Sequence, residues 1–152
     1  KLGAKEGKSN EIMIGGLNPS YNRFEGLKHP FDANFSSKIK NPGTMFMLLL
    51  QHLKIYDMCF ITNLLKCSTK DNIVLDTQID ICKEYFDNEL EYCKPKLILA
   101  CGKQVYEYIK HNYTYLKNVE RIHHPSFCFS YKKISIYDYM HQINNILVEY
   151  RI

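Results

Sequence analysis

Four short runs of apolar and branched residues recur along the chain with helix-period patterns between them: 11–15 (EIMIG), 57–62 (DMCFIT), 96–101 (KLILAC) and 118–122 (NVERI). Runs of this length bounded by turn residues read as buried strands. Strands that alternate with helices are joined by crossovers, which makes their sheet parallel. The alternation predicts an α/β fold, a three-layer αβα sandwich around a mainly parallel four-stranded central sheet. The fourth run is the least apolar of the set.

The intervening segments set the helices. Thr44 is placed to cap a helix reaching about residue 53, with Met45, Leu48 and Leu49 on one stripe and Gln51 and His52 on the polar face. A second helix fits 77–92, where Thr77 and Asp80 resemble a capping box and Ile79, Cys82, Tyr85, Phe86 and Leu90 recur at helical spacing. Its other face is acidic and is expected to point to water. Gly102 opens a third helix over 103–111, on which Val105, Tyr106 and Ile109 are apolar, and 135–149 reads as a closing helix. No repeat or linker divides the chain, so residues 1–152 are expected to form one domain.

A chain of 152 residues can bury about two thirds of the surface it exposes when unfolded, and needs no staple to fold. With 45% hydrophobic and 24% charged residues, seven Gly and five Pro, disordered, collagen-like and low-complexity classes are excluded. No apolar run approaches the roughly 20 residues of a membrane span. The opening KLGAKEGKSN lacks the apolar centre of a signal peptide, so an intracellular location, cytoplasmic or nuclear, is expected. A first residue of Lys1 rather than Met suggests that upstream residues have been removed. The six cysteines include no C-x-x-C pair and read as thiols or ligands rather than disulfides, with Cys59 and Cys101 packed inside apolar runs.

The net charge of +4 hides an asymmetry: residues 71–93 carry seven acids against Lys83, whereas 94–133 carry eight Lys/Arg against Glu107 and Glu120. The basic segment also holds His111, His123, His124 and many aromatics, which fits a surface facing phosphates. Its alternative is a set of solvated lysines.

In open α/β sheets ligands bind beyond the carboxyl ends of the strands. Asn18 follows the first run, Asn63 ends the second, Gly102 follows the third and His124 follows the fourth. Read alone, G-L-N-P-S at 16–20 is an ordinary turn. The convergence of four strand ends on one rim favours a second reading, in which Asn18 sits at a pocket mouth on backbone stiffened by Pro19 and closely approachable at Gly15 and Gly16.

In order and spacing, "GLNPS" (16–20), "HPF" (29–31), "FITNLLKC" (60–67), "CKPKLILACG" (93–102) and "HHPSF" (123–127) resemble the motifs of the uracil-DNA glycosylase superfamily. The resemblance covers residues 11 to 130, and its most specific parts are H-P-S and the strand-borne T-N. The stretches "TNLLKC" and "PKLILACG" are similar to the iron–sulfur, family-4-like branch, while Leu17 followed by Asn18 is similar to the mismatch-specific branch. In the iron–sulfur branch four cysteines hold a cluster; Cys67 and Cys82 match two of those ligands, and no Cys precedes Cys59. A [4Fe–4S] cluster normally needs four thiolates. It is therefore an option only if an upstream cysteine pair was removed, and no cofactor is expected for this chain as it stands.

The resemblance implies a base-excising site. Breaking the bond between C1′ and the base nitrogen puts positive charge on the sugar and negative charge on the departing base. Asn18 would orient water near C1′, although its amide cannot take a proton as a carboxylate would. His124 would donate to the base O2 from a neutral imidazole. Asn63 offers one donor and one acceptor to a pyrimidine edge, matching uracil one way round and cytosine the other. Phe31 would stack on the flipped base, with Gly16 and Leu17 completing the base-binding set. Phe127 and Tyr131 are candidates for the wedge that fills the vacated stack, Lys132 and Lys133 for flanking phosphates, and Ser20 and Ser126 for further DNA contacts. In the strictest uracil enzymes a tyrosine follows the motif's proline and blocks a 5-methyl group; Ser20 would leave that space open.

The expected function is a monofunctional DNA glycosylase acting on uracil or a related pyrimidine, monomeric and with DNA as partner. Two alternatives stand beside it. One is a catalytically silent DNA-binding or replication-partner module of the same fold; the other is a glycosylase for hypoxanthine or modified bases in foreign DNA.

Overall fold

The computed structural model describes residues 3–20 and 29–152. Its sheet contains β1 (Ile12–Gly16), β2 (Cys59–Asn63), β3 (Leu97–Cys101) and β4 (Val119–Ile122) in the order β2-β1-β3-β4, with every neighbouring pair parallel. All four expected runs form strands, including the least apolar one. On the outer edge of β2 the amino-terminal segment pairs antiparallel: Lys5 and Ile61 exchange two backbone hydrogen bonds of 2.8 Å. That segment covers an edge that would otherwise expose its hydrogen-bonding groups.

Strand residues alternate between two apolar layers, as the period of two requires. Ile12, Ile14, Ile61, Leu97 and Leu99 pack with Phe46, Met47, Leu50, Tyr139, Ile143 and Leu147, from α1 (Pro42–His52) and α6 (Ile136–Glu149). Met13, Phe60, Ile98 and Ala100 face the other way. They meet Ile79, Phe86, Leu90, Val105 and Ile109 from α2 (Asp76–Ile81), α3 (Lys83–Cys93) and α4 (Lys103–Asn112). Helices therefore cover both faces, giving the expected three layers. Cys59 and Cys101 are buried as expected, and burial pushes the Cys59 thiol up to about 12.

Several local expectations are corrected. The cap of α1 is Asn41, whose Oδ1 accepts from the Thr44 N–H at 2.8 Å, with Pro42 at the first helical position. Thr44 lies inside the helix, and its hydroxyl accepts from the Asn34 N–H at 2.7 Å. The 77–92 helix is two helices, α2 and α3, broken at Cys82 (φ −97°, ψ 1°), because an apolar period that continues across a break conceals it. The bond at its start is not the Thr77/Asp80 box: Gln78 Oε1 accepts from the Leu75 N–H at 2.8 Å. The acidic face does not simply meet water. Tyr108 donates to Asp80 and Tyr113 to Asp87, both at 2.6 Å, and Glu89 pairs with Lys66. Helix α6 begins where expected, capped by Ser135, whose Oγ accepts from the Asp138 N–H at 3.0 Å.

A short helix that periodicity does not reveal, α5 (Pro125–Phe129), follows β4 directly. Among the described residues no helix is long and apolar enough to cross a membrane.

Candidate base-binding cleft

The sheet order reverses between β1 and β3, so the chain leaving β1 and the chain leaving β3 diverge to opposite faces and open a crevice at their carboxyl ends. A cleft of about 690 Å³ lies there. Its lining includes Leu17, Asn18, Ser20, Phe31, Asn63, His124, Ser126, Phe127 and Tyr131, nine of the twelve expected site residues. Gly16 stands just behind the wall. Lys132 and Lys133 are exposed beside the cleft and do not line it.

Gly16 pairs in register with Asn63 across the β1/β2 ladder. A Cβ at Gly16 would overlap the Asn63 carboxamide oxygen and come within 2.8 Å of the Phe31 ring. Only glycine lets these two groups close over the strand end. Asn63 is 5% exposed, and its carboxamide makes no side-chain hydrogen bond with the described residues. Buried polar groups are normally satisfied within the protein, and here the small exposed part opens on the cleft.

Phe31 reaches the site through an unusual turn, Pro30–Asp32, in which Phe31 and Asp32 both adopt the left-handed region (φ 60° and 59°). For bulky residues this conformation persists only when the surroundings enforce it. The N-terminus of α1 does so. Asn41 Nδ2 donates to the Asp32 carbonyl at 2.5 Å, Thr44 Oγ1 holds the Asn34 N–H, and Gly43 permits an approach of the Phe31 carbonyl that any Cβ would block. The ring is buried against Phe46 at 5.6 Å and lies 6.2 Å from the His124 ring.

His124 is the cap of α5: its Nδ1 accepts from the Ser126 N–H at 3.2 Å. An accepting Nδ1 carries no proton, so in the neutral ring the proton resides on Nε2. His124 is open to solvent at the cleft, yet the surrounding protein desolvates its ring enough to hold the pKa below the usual histidine value. The neutral form with an Nε2–H donor is thus the favoured state at pH 7. Tyr139, fully buried, donates to the His123 carbonyl at 2.6 Å and ties α6 to the segment before His124. Phe127 stacks on His123 with ring centroids 4.4 Å apart.

Asn18 Nδ2 donates to the Pro19 carbonyl at 3.0 Å. That bond orients the amide and leaves Oδ1 as the group able to accept from a water. Ser20 donates its N–H to Asp32 Oδ1 at 3.3 Å, which joins the Asn-Pro turn to the Phe31 turn.

The cleft also contains residues that the sequence did not single out. Asp32 is the one carboxylate among its described lining residues; Asn41, Asn72, Lys103 and Gln104 add polar surface. Gln104 Nε2 donates to the Val74 carbonyl at 2.7 Å, pinning the loop after β2 onto α4. The aspartate next to "HPF" was the only available signal; the others depend on where loops fold back.

Cys67 is exposed and Cys82 is packed in the apolar layer beneath α3. Among the described residues no group of three or more His, Cys, Asp or Glu side chains is arranged to hold a metal ion.

No curated protein matches the chain. The family model described as "Uracil DNA glycosylase superfamily" matches residues 4–148, a span that takes in the whole sheet, the cleft and most of α6. By that match the chain belongs to the uracil DNA glycosylase superfamily.

Proposed function

We propose that the protein is a monofunctional DNA glycosylase that flips uracil or a related pyrimidine into the cleft and hydrolyses its N-glycosidic bond, leaving an abasic site. Superfamily membership points to DNA glycosylase activity. The observation that carries the finer reading is the Asn63 carboxamide, 5% exposed and without a side-chain partner among the described residues, on a cleft walled by Phe31 and His124. Such a group opens its donor and acceptor to whatever fills the cleft, water or a ligand.

In this mechanism the flipped base stacks on Phe31 and pairs its edge with Asn63, which supplies N–H to O4 and accepts from N3–H. His124 donates Nε2–H to O2 as negative charge builds there. The C1′–N bond breaks with its electron pair leaving on the base, a water held by Asn18 Oδ1 adds its oxygen to C1′, and the water's proton is released to solvent or to the base anion. Pre-oriented donors of the His124 kind are typically worth about 3 to 4 kcal/mol in the transition state. Asn18 cannot accept the proton, so rates should be modest. With Ser20 at the cleft, bases bearing a 5-substituent fit the reading as well.

The test is an excision assay across oligonucleotides carrying uracil, thymine, hypoxanthine and modified cytosines, read as strand breakage after alkali. Breakage at uracil or another pyrimidine supports the proposal. Tight binding without alkali-labile product would favour a silent DNA-binding module, and breakage at hypoxanthine alone would reassign the base. Lys132→Ala combined with Lys133→Ala should flatten the salt dependence of binding, since each neutralised phosphate adds about 0.9 to the slope. An unaltered slope would remove both lysines from the interface.

A further inference from the structure

Behind the cleft, on the opposite face of β2, lies a buried ionic cluster that the mechanism above does not use. Lys66 is 2% exposed, and its ammonium donates to Thr62 Oγ1 at 2.6 Å, to the Asn63 carbonyl at 2.7 Å and to both Glu89 oxygens at 2.7 and 2.8 Å. Thr62 closes the ring by donating to Glu89 at 3.0 Å. The cluster thus joins α3 to the last two residues of β2, and one of its contacts is the main chain of Asn63.

Asn63 needs such a hold. With no side-chain hydrogen bond among the described residues, its carboxamide is aimed only by its backbone and by the walls that Gly16 and Phe31 provide. The position of the Asn63 peptide therefore sets the direction of the amide. A charge-assisted bond from a desolvated ammonium is short and directional, and both charges are compensated, so the clamp is stiff.

We propose that Lys66, held by Glu89 and Thr62, is a positioning residue that fixes the base-reading orientation of Asn63. The assignment rests on the reading of Asn63 given above. Removing Lys66 alone would strand Glu89 as a mostly buried charge, so the informative variant is the double substitution Lys66→Met with Glu89→Leu, which removes both charges. It should fold and excise uracil about tenfold or more slowly in single turnover, with abasic-DNA affinity little changed. In an Asn63→Ala background the same pair of changes should alter the rate by less than about twofold, because effects that act through one residue are not additive. Thr62→Val should show a smaller loss with the same dependence on Asn63.

A folded double variant with wild-type excision would overturn the assignment, as would equal losses with and without Asn63. Should the double variant not fold, Thr62→Val in the two backgrounds decides the matter by the same criterion. Full activity in Asn63→Ala itself would instead defeat the base-reading role, and the assignment with it.

Discussion

Two regions of this molecule treat buried polarity in opposite ways. In the layer formed by α2, α3 and α4, polar groups that approach the core find partners inside the protein. Tyr108 binds Asp80, Tyr113 binds Asp87, and Lys66 binds Glu89, Thr62 and the Asn63 carbonyl. At the cleft, Asn63 has a carboxamide without a side-chain partner among the described residues. Asn18 commits Nδ2 to Pro19, and His124 commits Nδ1 to Ser126. The committed atoms orient each side chain, and the remaining Asn18 Oδ1 and His124 Nε2 are the groups able to meet a ligand. Satisfied polarity serves stability; oriented and incompletely satisfied polarity is left available to a ligand. Substitutions should separate the two.

The largest expected effect is at His124. His124→Ala should lower single-turnover base excision by about 100-fold, the scale of losing one transition-state donor, while DNA affinity stays within a few-fold. Asn18→Ala should lower it by about tenfold or more through loss of the oriented water. Unchanged rates in both variants would erase the distinction between the regions on its cleft side. Gly16→Ala should also slow excision by about tenfold, because its Cβ would displace Asn63 and Phe31 together; comparing its rate with its thermal midpoint separates a displaced site from a destabilised fold.

The pH profile comes next. Partial desolvation by the surrounding protein lowers the His124 pKa, so the unfolded chain takes up its proton first as pH falls. The contribution of this group to stability is complete above about pH 6.5 and declines as pH drops from there toward the lowered folded value. Excision should be flat from neutral pH down to about 6.5 and fall only at more acidic pH, when protonated Nδ1 can no longer accept from Ser126. A rate that rises on acidification would require the imidazolium as the working form. The smallest effect lies in the helical layer. Tyr113→Phe removes one hydrogen bond to Asp87 and should cost about 1 kcal/mol, or about 2–4 °C in thermal midpoint for a domain of this size, with excision unchanged. An excision loss as large as that of Asn18→Ala would show that the helical layer is not separate from the cleft.

The sheet was legible in the sequence because a buried strand needs little more than a short apolar run, and even 118–122 sufficed once β3 lay beside it. The cleft was legible through topology: in a parallel sheet the residues after each strand share one rim, which brings Asn18, Asn63 and His124 together. Phe31 was found only by its motif. Its placement depends on a left-handed turn latched by Asn41, Gly43 and Thr44, and no local pattern announces that latch. The acidic helix face misled for a related reason, since charge patterning cannot tell a solvated Glu from one that closes over a buried Lys66. The five-residue α5 is too short to display a period at all.

The most direct test of the central claim is the single-turnover rate of uracil excision from a labelled oligonucleotide, measured for wild type and His124→Ala at equal folded fraction. Wild type should give alkali-labile product and the variant a rate about 100-fold lower, with both proteins still binding the DNA. Equal rates in the two proteins, or no alkali-labile product from wild type, would contradict it.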